Sequence, residues 1–419
     1  MAHRLPGAVL AGLVGAGLLA SQAAPAQTPA PETPIIATLS EAQALETDSF
    51  GPPLGFGSAV AISGSTAFVG VPLYADTDQV DAQGNPISSG LVEVYESDAT
   101  GTTWTLIDSL QPVVPKLGSG FGETVAASGD RLAVGGNQIQ LYEKRNGKWT
   151  PTETIPAAPT TMALVGDTLV YSASGIFVYE IGHGSKPRLI QTLEPLPSDT
   201  GLYGSEIALN GNLLVVGSPG GFVQGGSTPP GQAYVYSRKG FRWHLEQTLQ
   251  SPTGAANSQF GSGVAISNHS IIVGAPGEDS NFDGFSTTAG GEAYVFRQSH
   301  GVWAETQEFR PTGGGIEGFN GFGTLIVAGG GRVALSAPDT DDVFDAFFGP
   351  TFIYRWEGDT LVADGTNGGV DGPTANALGV SNNHIIIGTF YDARGGFREG
   401  AEVLTYPATS TTISSDTDD

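Results

Sequence analysis

A motif that returns seven times along the chain constrains the fold more than any other feature of the sequence. Its fullest copies, Phe56 to Pro72 and Phe260 to Pro276, contain a Phe-Gly pair, two short strand patterns joined by a turn, and a closing Gly-x-Pro. A supersecondary unit repeated in this way buries its apolar faces against its neighbours, so the copies form one domain. The seven copies begin at or near Phe56, Phe121, Thr161, Tyr203, Phe260, Phe322 and Leu378.

Each copy contains four short β-strand patterns. The first alternates small and apolar residues, the second is β-branched, the third ends in a motif such as Val94-Tyr95, and the fourth often opens with tryptophan. Turn residues separate them, as hairpins require. Because Trp149, Trp243 and Trp303 recur in phase, we interpret them as packing between repeats rather than as a carbohydrate platform. The sequence therefore predicts an all-β, seven-bladed β-propeller of four-stranded antiparallel blades.

The two ends of the propeller region together supply one blade. The seventh copy ends at Tyr406 without a fourth strand, whereas residues 34–40 match the fourth strands of other copies. An open ring would leave unpaired strand edges, so we predict that residues 34–40 close it on the last blade. The single propeller domain then spans residues 34–406, with blades near residues 54–112, 119–157, 160–197, 202–252, 259–311, 321–364 and 377–406.

The first 26 residues have the pattern of a signal peptide. A short basic start precedes an apolar stretch and the small-residue site Ala24-Pro25-Ala26. The apolar stretch is shorter than the roughly 20 residues that a spanning helix needs, so we expect no membrane insertion once it is removed. Residues 27–33 are predicted to be a linker and residues 407–419 a disordered acidic tail. The expected location is secreted: extracellular, periplasmic or on the cell surface.

The cysteine content and the net charge exclude disulfide bonds and disfavour some classes of partner. The chain has no cysteine, so a secreted form must be stabilised by its core without disulfides. Its formal net charge of −25 disfavours nucleic acid and anionic membrane surfaces as partners. The same charge is compatible with bound cations, with basic partners, or with solubility alone.

The Phe-Gly opening and the Gly-Ala-Pro close resemble the FG-GAP repeat over nearly the whole mature chain. Gly274-Ala275-Pro276 is a full match, and Gly70-Val71-Pro72 is a near one. The resemblance implies a propeller like that of integrin α heads and of many bacterial exported proteins, which bind proteins or cations. It does not settle function, because families with these repeats also include enzymes.

Members of this family often carry a calcium loop after Gly-Ala-Pro, and the resemblance implies one in the fifth copy. Asp279, Asn281 and Asp283 match its first three ligand positions, but Thr287 replaces the acid at the ninth. Alternate oxygen ligands on a tight loop suit Ca²⁺, and a solvated acidic turn is the alternative. Two other acidic loops match less well; their candidate ligands are Asp76, Asp78 and Asp81, and Asp339, Asp341 and Asp345.

The long segments of the chain are predicted to share one face of the ring. In a four-stranded blade, the connections between strands 2 and 3 and between blades lie at the same end, and binding residues concentrate on such loops. No catalytic set of residues stands out. We therefore expect a secreted or cell-surface module that binds an extracellular protein or glycan and is not an enzyme. The alternatives are a secreted polysaccharide lyase or hydrolase, and a structural envelope protein.

Overall fold

The structure is a computed structural model whose regular secondary structure is β-strand throughout the part described. That part comprises residues 37–39, 55–80, 84, 86–221, 228–278, 290–310, 321–338, 349–367, 375–381, 383–389 and 400–406. It forms seven four-stranded antiparallel sheets and a small two-stranded hairpin, as the repeat predicts. The predicted signal peptide, linker and tail lie outside the described residues.

In blades 1 to 6 the strands follow the chain from the centre of the ring outwards, and in blade 7 the N-terminal strand takes the outermost place. In order, they are Val60–Ser63, Thr66–Val71, Leu91–Ser97 and Trp104–Leu110 in blade 1; Thr124–Ser128, Arg131–Gly135, Ile139–Arg145 and Lys148–Ile155 in blade 2; Thr161–Val165, Thr168–Ser172, Ile176–Glu180 and Arg188–Leu193 in blade 3; and Ile207–Asn210, Leu213–Ser218, Gln232–Lys239 and Arg242–Gln250 in blade 4. They continue with Val264–Ser267, Ser270–Ala275, Glu292–Ser299 and Val302–Phe309 in blade 5; Ile326–Gly329, Arg332–Ser336, Thr351–Glu357 and Thr360–Asn367 in blade 6; and Ala375–Ser381, His384–Thr389, Gly400–Thr405 and Ala37–Leu39 in blade 7.

The first strands of all seven blades surround a central channel of about 270 Å³. An innermost strand has only one sheet neighbour, so its other edge faces this channel. The side chains of each sheet alternate between the two adjacent blades, which explains why the core consists of clusters that join one blade to the next.

The two glycines of the repeat meet between adjacent blades. The Gly261 N–H donates to the Gly274 carbonyl within blade 5, at 2.9 Å. A Cβ on Gly274 would lie only 2.0 Å from the carbonyl oxygen of Gly323 in blade 6. Gly261 and Gly323 also have φ of +98° and +90°, where glycine is favoured. A Cβ on Gly70, Gly217 or Gly388 would lie 2.1 Å from the carbonyl oxygen of Gly122, Gly261 or Gly57, respectively, in the next blade of the ring.

The tryptophans that open the outer strands pack between blades, which confirms their interpretation. The ring of Trp149 in blade 2 meets Phe68 of blade 1 edge-on, with centroids 5.0 Å apart. Trp243 and Trp303 are buried in the cores that join blades 3 and 4 and blades 4 and 5.

Glutamine side chains add a second contact between blades. Gln191 of blade 3 donates to the Trp243 carbonyl and accepts from the Trp243 N–H in blade 4, both at 2.9 Å. Gln247 holds Trp303 in the same way, and Gln307 holds Leu361. We call this two-point contact the glutamine clamp. It recurs at three consecutive blade junctions, 3–4, 4–5 and 5–6.

The ring closes where blade 7 meets blade 1. Residues Ala37–Leu39 pair antiparallel with Gly400–Thr405, so the N-terminal strand completes the last blade as predicted. Residues from both blades share a core that includes Phe56 and Val403. Trp104 of blade 1 also lies edge-on to His384 of blade 7, with ring centroids 5.3 Å apart.

Candidate functional site

The connections between blades are hydrogen-bonded to the connections between strands 2 and 3, which places both on one face of the ring. Between blades 1 and 2, Gly118 N–H donates to the Ser88 carbonyl at 2.8 Å, and Asn137 N–H donates to the Ser119 carbonyl at 2.7 Å. The junction of blades 4 and 5 has the corresponding bonds, Phe260 to Pro230 and Gly277 to Ser258. We call this surface the loop face. At these two junctions, hydrogen bonds attach the described backbone of the loop face to the blades on both sides.

One part of the loop face carries exposed aliphatic side chains. The connection between strands 2 and 3 of blade 1 contains a hairpin, Ala75–Val80 and Pro86–Ser88, that the sequence did not predict. Ser88 bonds this hairpin to Gly118 in the next connection and also donates to the Leu73 carbonyl. Five side chains on these two segments are 52 to 70% exposed: Leu73, Val80, Val113, Val114 and Leu117. We call these five the aliphatic patch.

The predicted calcium ligands fall mainly outside the described residues. This holds for Asp279, Asn281, Asp283 and Thr287, and also for Asp81, Asp339, Asp341 and Asp345. Asp76 and Asp78 belong to the strand Ala75–Val80, an extended segment rather than a tight turn. Among the described residues, no three His, Asp or Glu side chains come together in a way that could hold a metal ion.

The carboxylate next to the predicted calcium loop of blade 5 is buried and bonded. Glu278 is 1% exposed and accepts hydrogen bonds from the hydroxyls of Ser251, at 3.0 Å, and Thr253. The Gly291 N–H donates to the Glu278 carbonyl at 2.8 Å. These bonds join the two ends of the segment at residues 279–289 and attach them to the connection between blades 4 and 5.

Among the described residues that line the central channel, Glu206 is the only charged one. The others are apolar residues and glycine. Glu206 directly precedes the first strand of blade 4, where burial raises its pKa to about 7 and hydrogen bonds from the Ile207 N–H and Thr161 oppose that rise. A carboxyl with such a pKa can exchange a proton near neutral pH. The described residues around it supply no second ionisable group of the channel wall for acid–base chemistry.

A comparison with protein families agrees with this architecture. The FG-GAP repeat family matches residues 243–296, which run from the fourth strand of blade 4 to the third strand of blade 5. This segment contains the full Gly274-Ala275-Pro276 signature and the glycine contact to blade 6. The chain is an FG-GAP-like β-propeller.

Other comparisons with the FG-GAP-like propeller are more distant. No curated protein matches the chain. Among the solved structures that match is a Bacteroides uniformis protein provisionally named a 6-phosphogluconolactonase. It is 11% identical, with a TM-score of 0.44, and the match covers 74% of this chain and 83% of that one. In the described part of the propeller, no helix has the length and apolar character needed to cross a membrane.

The sequence analysis missed the aliphatic patch. Its signal was present in the segment Pro112-Val113-Val114-Pro115, where two aliphatic residues stand between prolines and outside any strand pattern. Proline on both sides disfavours a paired strand, and in the structure both valines lie exposed in the connection between blades 1 and 2. The aromatic residues that the sequence places on this face, such as Phe222, Phe282 and Phe344, lie outside the described residues.

Proposed function

We propose that this FG-GAP-like propeller is an exported binding module that recognises a protein partner through its loop face. The aliphatic patch is the observation that carries the proposal. These side chains lie on two segments that the hydrogen bond between Gly118 and Ser88 holds together, and exposed apolar side chains grouped on one surface commonly mark interaction sites. The hydrogen bonds that fix these segments to blades 1 and 2 reduce the entropy lost on binding. The signal-peptide pattern of residues 1–26 supports export.

The chemistry of the patch favours a partner segment with aliphatic side chains flanked by lysine or arginine. Its five members are valine and leucine, whereas sugar rings are commonly bound by aromatic faces, so a protein fits this surface better than a glycan. The hairpin carries Asp76 and Asp78, and the exposed Glu123 follows the connection to blade 2. With a net charge of −25, the molecule attracts basic segments and repels a second copy of itself.

A model peptide tests this proposal. The probe is a labelled amphipathic Leu/Lys peptide, with a Leu/Glu peptide of equal length as its charge-reversed control. We expect the double variant Val113→Ser/Val114→Ser to bind the Leu/Lys peptide about tenfold more weakly, because two aliphatic side chains no longer become buried. Fluorescence anisotropy at several salt concentrations measures the affinity.

The matched control is Phe241→Ser/Val302→Ser, which removes two exposed apolar side chains in or beside the turns between strands 3 and 4, on the opposite face. It should bind like the unmodified protein. Equal affinity in all three proteins would show that attraction to the acidic surface is nonspecific, and preference for the Leu/Glu peptide would show that the partner is not basic. Either result would overturn the proposal.

We also propose that calcium orders the blade 5 loop through Asp279, Asn281 and Asp283. The ligand spacing supports this, and so does the bonded loop base at Glu278 and Gly291. Isothermal titration with Ca²⁺ should give binding heat that disappears in Asp279→Ala/Asp283→Ala. The control Asp130→Ala alters an acidic turn on the other face. Heat that persists in the double variant, or no heat in the unmodified protein, would contradict this assignment.

A further inference from the structure

A cleft of about 250 Å³ lies between blades 2 and 3, on the face opposite the loop face. Blade 2 lines it with Arg131, Glu143, Arg145 and Glu153, and blade 3 lines it with the turn after its third strand. At about 30 Å³ per water, the cleft has room for about eight waters or for a molecule with a similar number of heavy atoms. It shares no residue with the aliphatic patch.

The cleft occurs at a junction that lacks the glutamine clamp. Glu153 occupies the clamp position of blade 2. It lies two residues after Pro151, the strand partner of Tyr142, just as the clamp residue Gln191 lies two residues after Leu189, the strand partner of Tyr179. A carboxylate cannot donate to a backbone carbonyl. The residue of blade 3 that corresponds to the clamped Trp243 is Pro187, which has no N–H to offer. The carboxylate of Glu153 therefore makes no hydrogen bond or ion pair with any described residue.

Arg131 is a second group with unused bonding capacity. The residue is 5% exposed, and its Nη1 donates to the carbonyls of Gly166, at 3.2 Å, and Ile181, and pairs with Asp167 at 2.5 Å. Its Nη2 is buried and has no hydrogen-bond partner in the described part of the chain. A buried donor without an acceptor destabilises the protein, so an acceptor bound beside it would be favourable.

The remaining charges of the cleft are already paired. Glu143 accepts two hydrogen bonds from Arg145, at 3.0 and 2.6 Å, and lies 3.3 Å from His183. Burial opposes its ionisation, but the bonds to Arg145 outweigh burial and hold the pKa of Glu143 below its ordinary value. The two groups with capacity left for a ligand are thus a guanidinium and a carboxylate.

We propose that this cleft binds a small zwitterion of the α-amino acid class. The ligand carboxylate accepts from Arg131, and the ligand ammonium donates to Glu153. A ligand that carries both charges can engage the guanidinium and the carboxylate at once, which a simple anion or cation cannot do. This proposal is independent of binding at the loop face.

Three matched probes test it: L-alanine, N-acetyl-L-alanine, which keeps only the carboxylate, and L-alaninamide, which keeps only the ammonium. Isothermal titration gives the affinities, and amide chemical shifts of Gly182, Gly184 and Ser185 locate the bound probe. We expect L-alanine to bind at least about tenfold more tightly than either analogue, because each lacks one charge-assisted bond.

Glu153→Gln removes the charge that holds the ammonium and leaves Arg131, which connects the two blades, in place. It should weaken L-alanine about tenfold and leave N-acetyl-L-alanine unchanged. The control Glu305→Gln alters an exposed carboxylate on the outer strand of blade 5 and should change neither. The proposal is overturned if L-alanine binds no better than its analogues, if it binds equally to Glu153→Gln, or if the three amide shifts do not move.

Discussion

At the scale of single residues, the glycines of the repeat explain why its signature has this form. The glycine of Phe-Gly adopts a positive φ, and the glycine of Gly-x-Pro lies against it from the preceding blade. Both therefore lack a side chain for separate reasons, one conformational and one steric. Blade 6 has Ser336 at this position, and the copy that follows it, in blade 7, has lost the Phe-Gly pair.

Gly274→Ala is expected to destabilise the propeller by about 3 kcal/mol, because the new methyl would lie 2.0 Å from the backbone oxygen of Gly323 and the two blades would have to separate. Denaturant unfolding measures the change in free energy. Gly175→Ala is the control, since the nearest atoms lie 3.5 Å or more from a Cβ at that position. Equal stability of the two variants would contradict the assigned role of the glycine contact.

At the scale of strands, the sequence predicts the strands and turns that recur in phase. It does not predict the contacts that depend on a neighbouring blade. Strand patterns, turns and the in-phase tryptophans are local signals, and they led to the seven blades. Gln191 and Gln247 look like ordinary polar residues of an outer strand, because their partners are more than fifty positions away. The sequence does not predict the cleft at Glu153 for the same reason. The absence of the clamp at that junction can be recognised only after the clamp has been identified at the other junctions.

At the scale of the loop face, local patterns are weaker predictors. The blade 1 hairpin has Asp76 and Asp78 in a strand, although aspartate is depleted in strands and favours turns, so its tertiary context overrides propensity. The aliphatic patch follows no period, and periodicity is what sequence analysis detects best. The calcium ligands were proposed from the family resemblance and the ligand spacing, and only Asp76 and Asp78 of that set lie in the described part of the chain.

At the scale of the whole molecule, the ring depends on the junction of blade 7 with blade 1. Gly388 and Gly57 make the same close approach there as the glycines of other junctions, so the first and last copies meet as sequential neighbours do. This junction also contains His384, which is 5% exposed and lies against Trp104 and the turn at Gly101. That turn carries Asp98, whose carboxylate is engaged by Thr100 and Thr102.

The junction should therefore weaken in acid. Burial lowers the pKa of His384 below its ordinary value near 6.5, so from that pH downward the unfolded chain binds a proton that the folded ring resists. The resulting loss of stability begins as the pH falls below about 6.5 and ends at the folded pKa. Its slope approaches about 1.4 kcal/mol per pH unit at most.

Glu206 acts in the opposite direction, because its raised pKa makes the folded state hold a proton that the unfolded chain releases as the pH rises towards 7. The effect of His384 is therefore isolated by comparing variants. Unfolding free energies between about pH 5 and 7.5 should fall less steeply towards acid in His384→Phe than in the unmodified protein. His269→Phe, which alters an exposed histidine in a blade 5 turn, should retain the original slope. Identical slopes in all three proteins would show that the junction does not sense pH through His384.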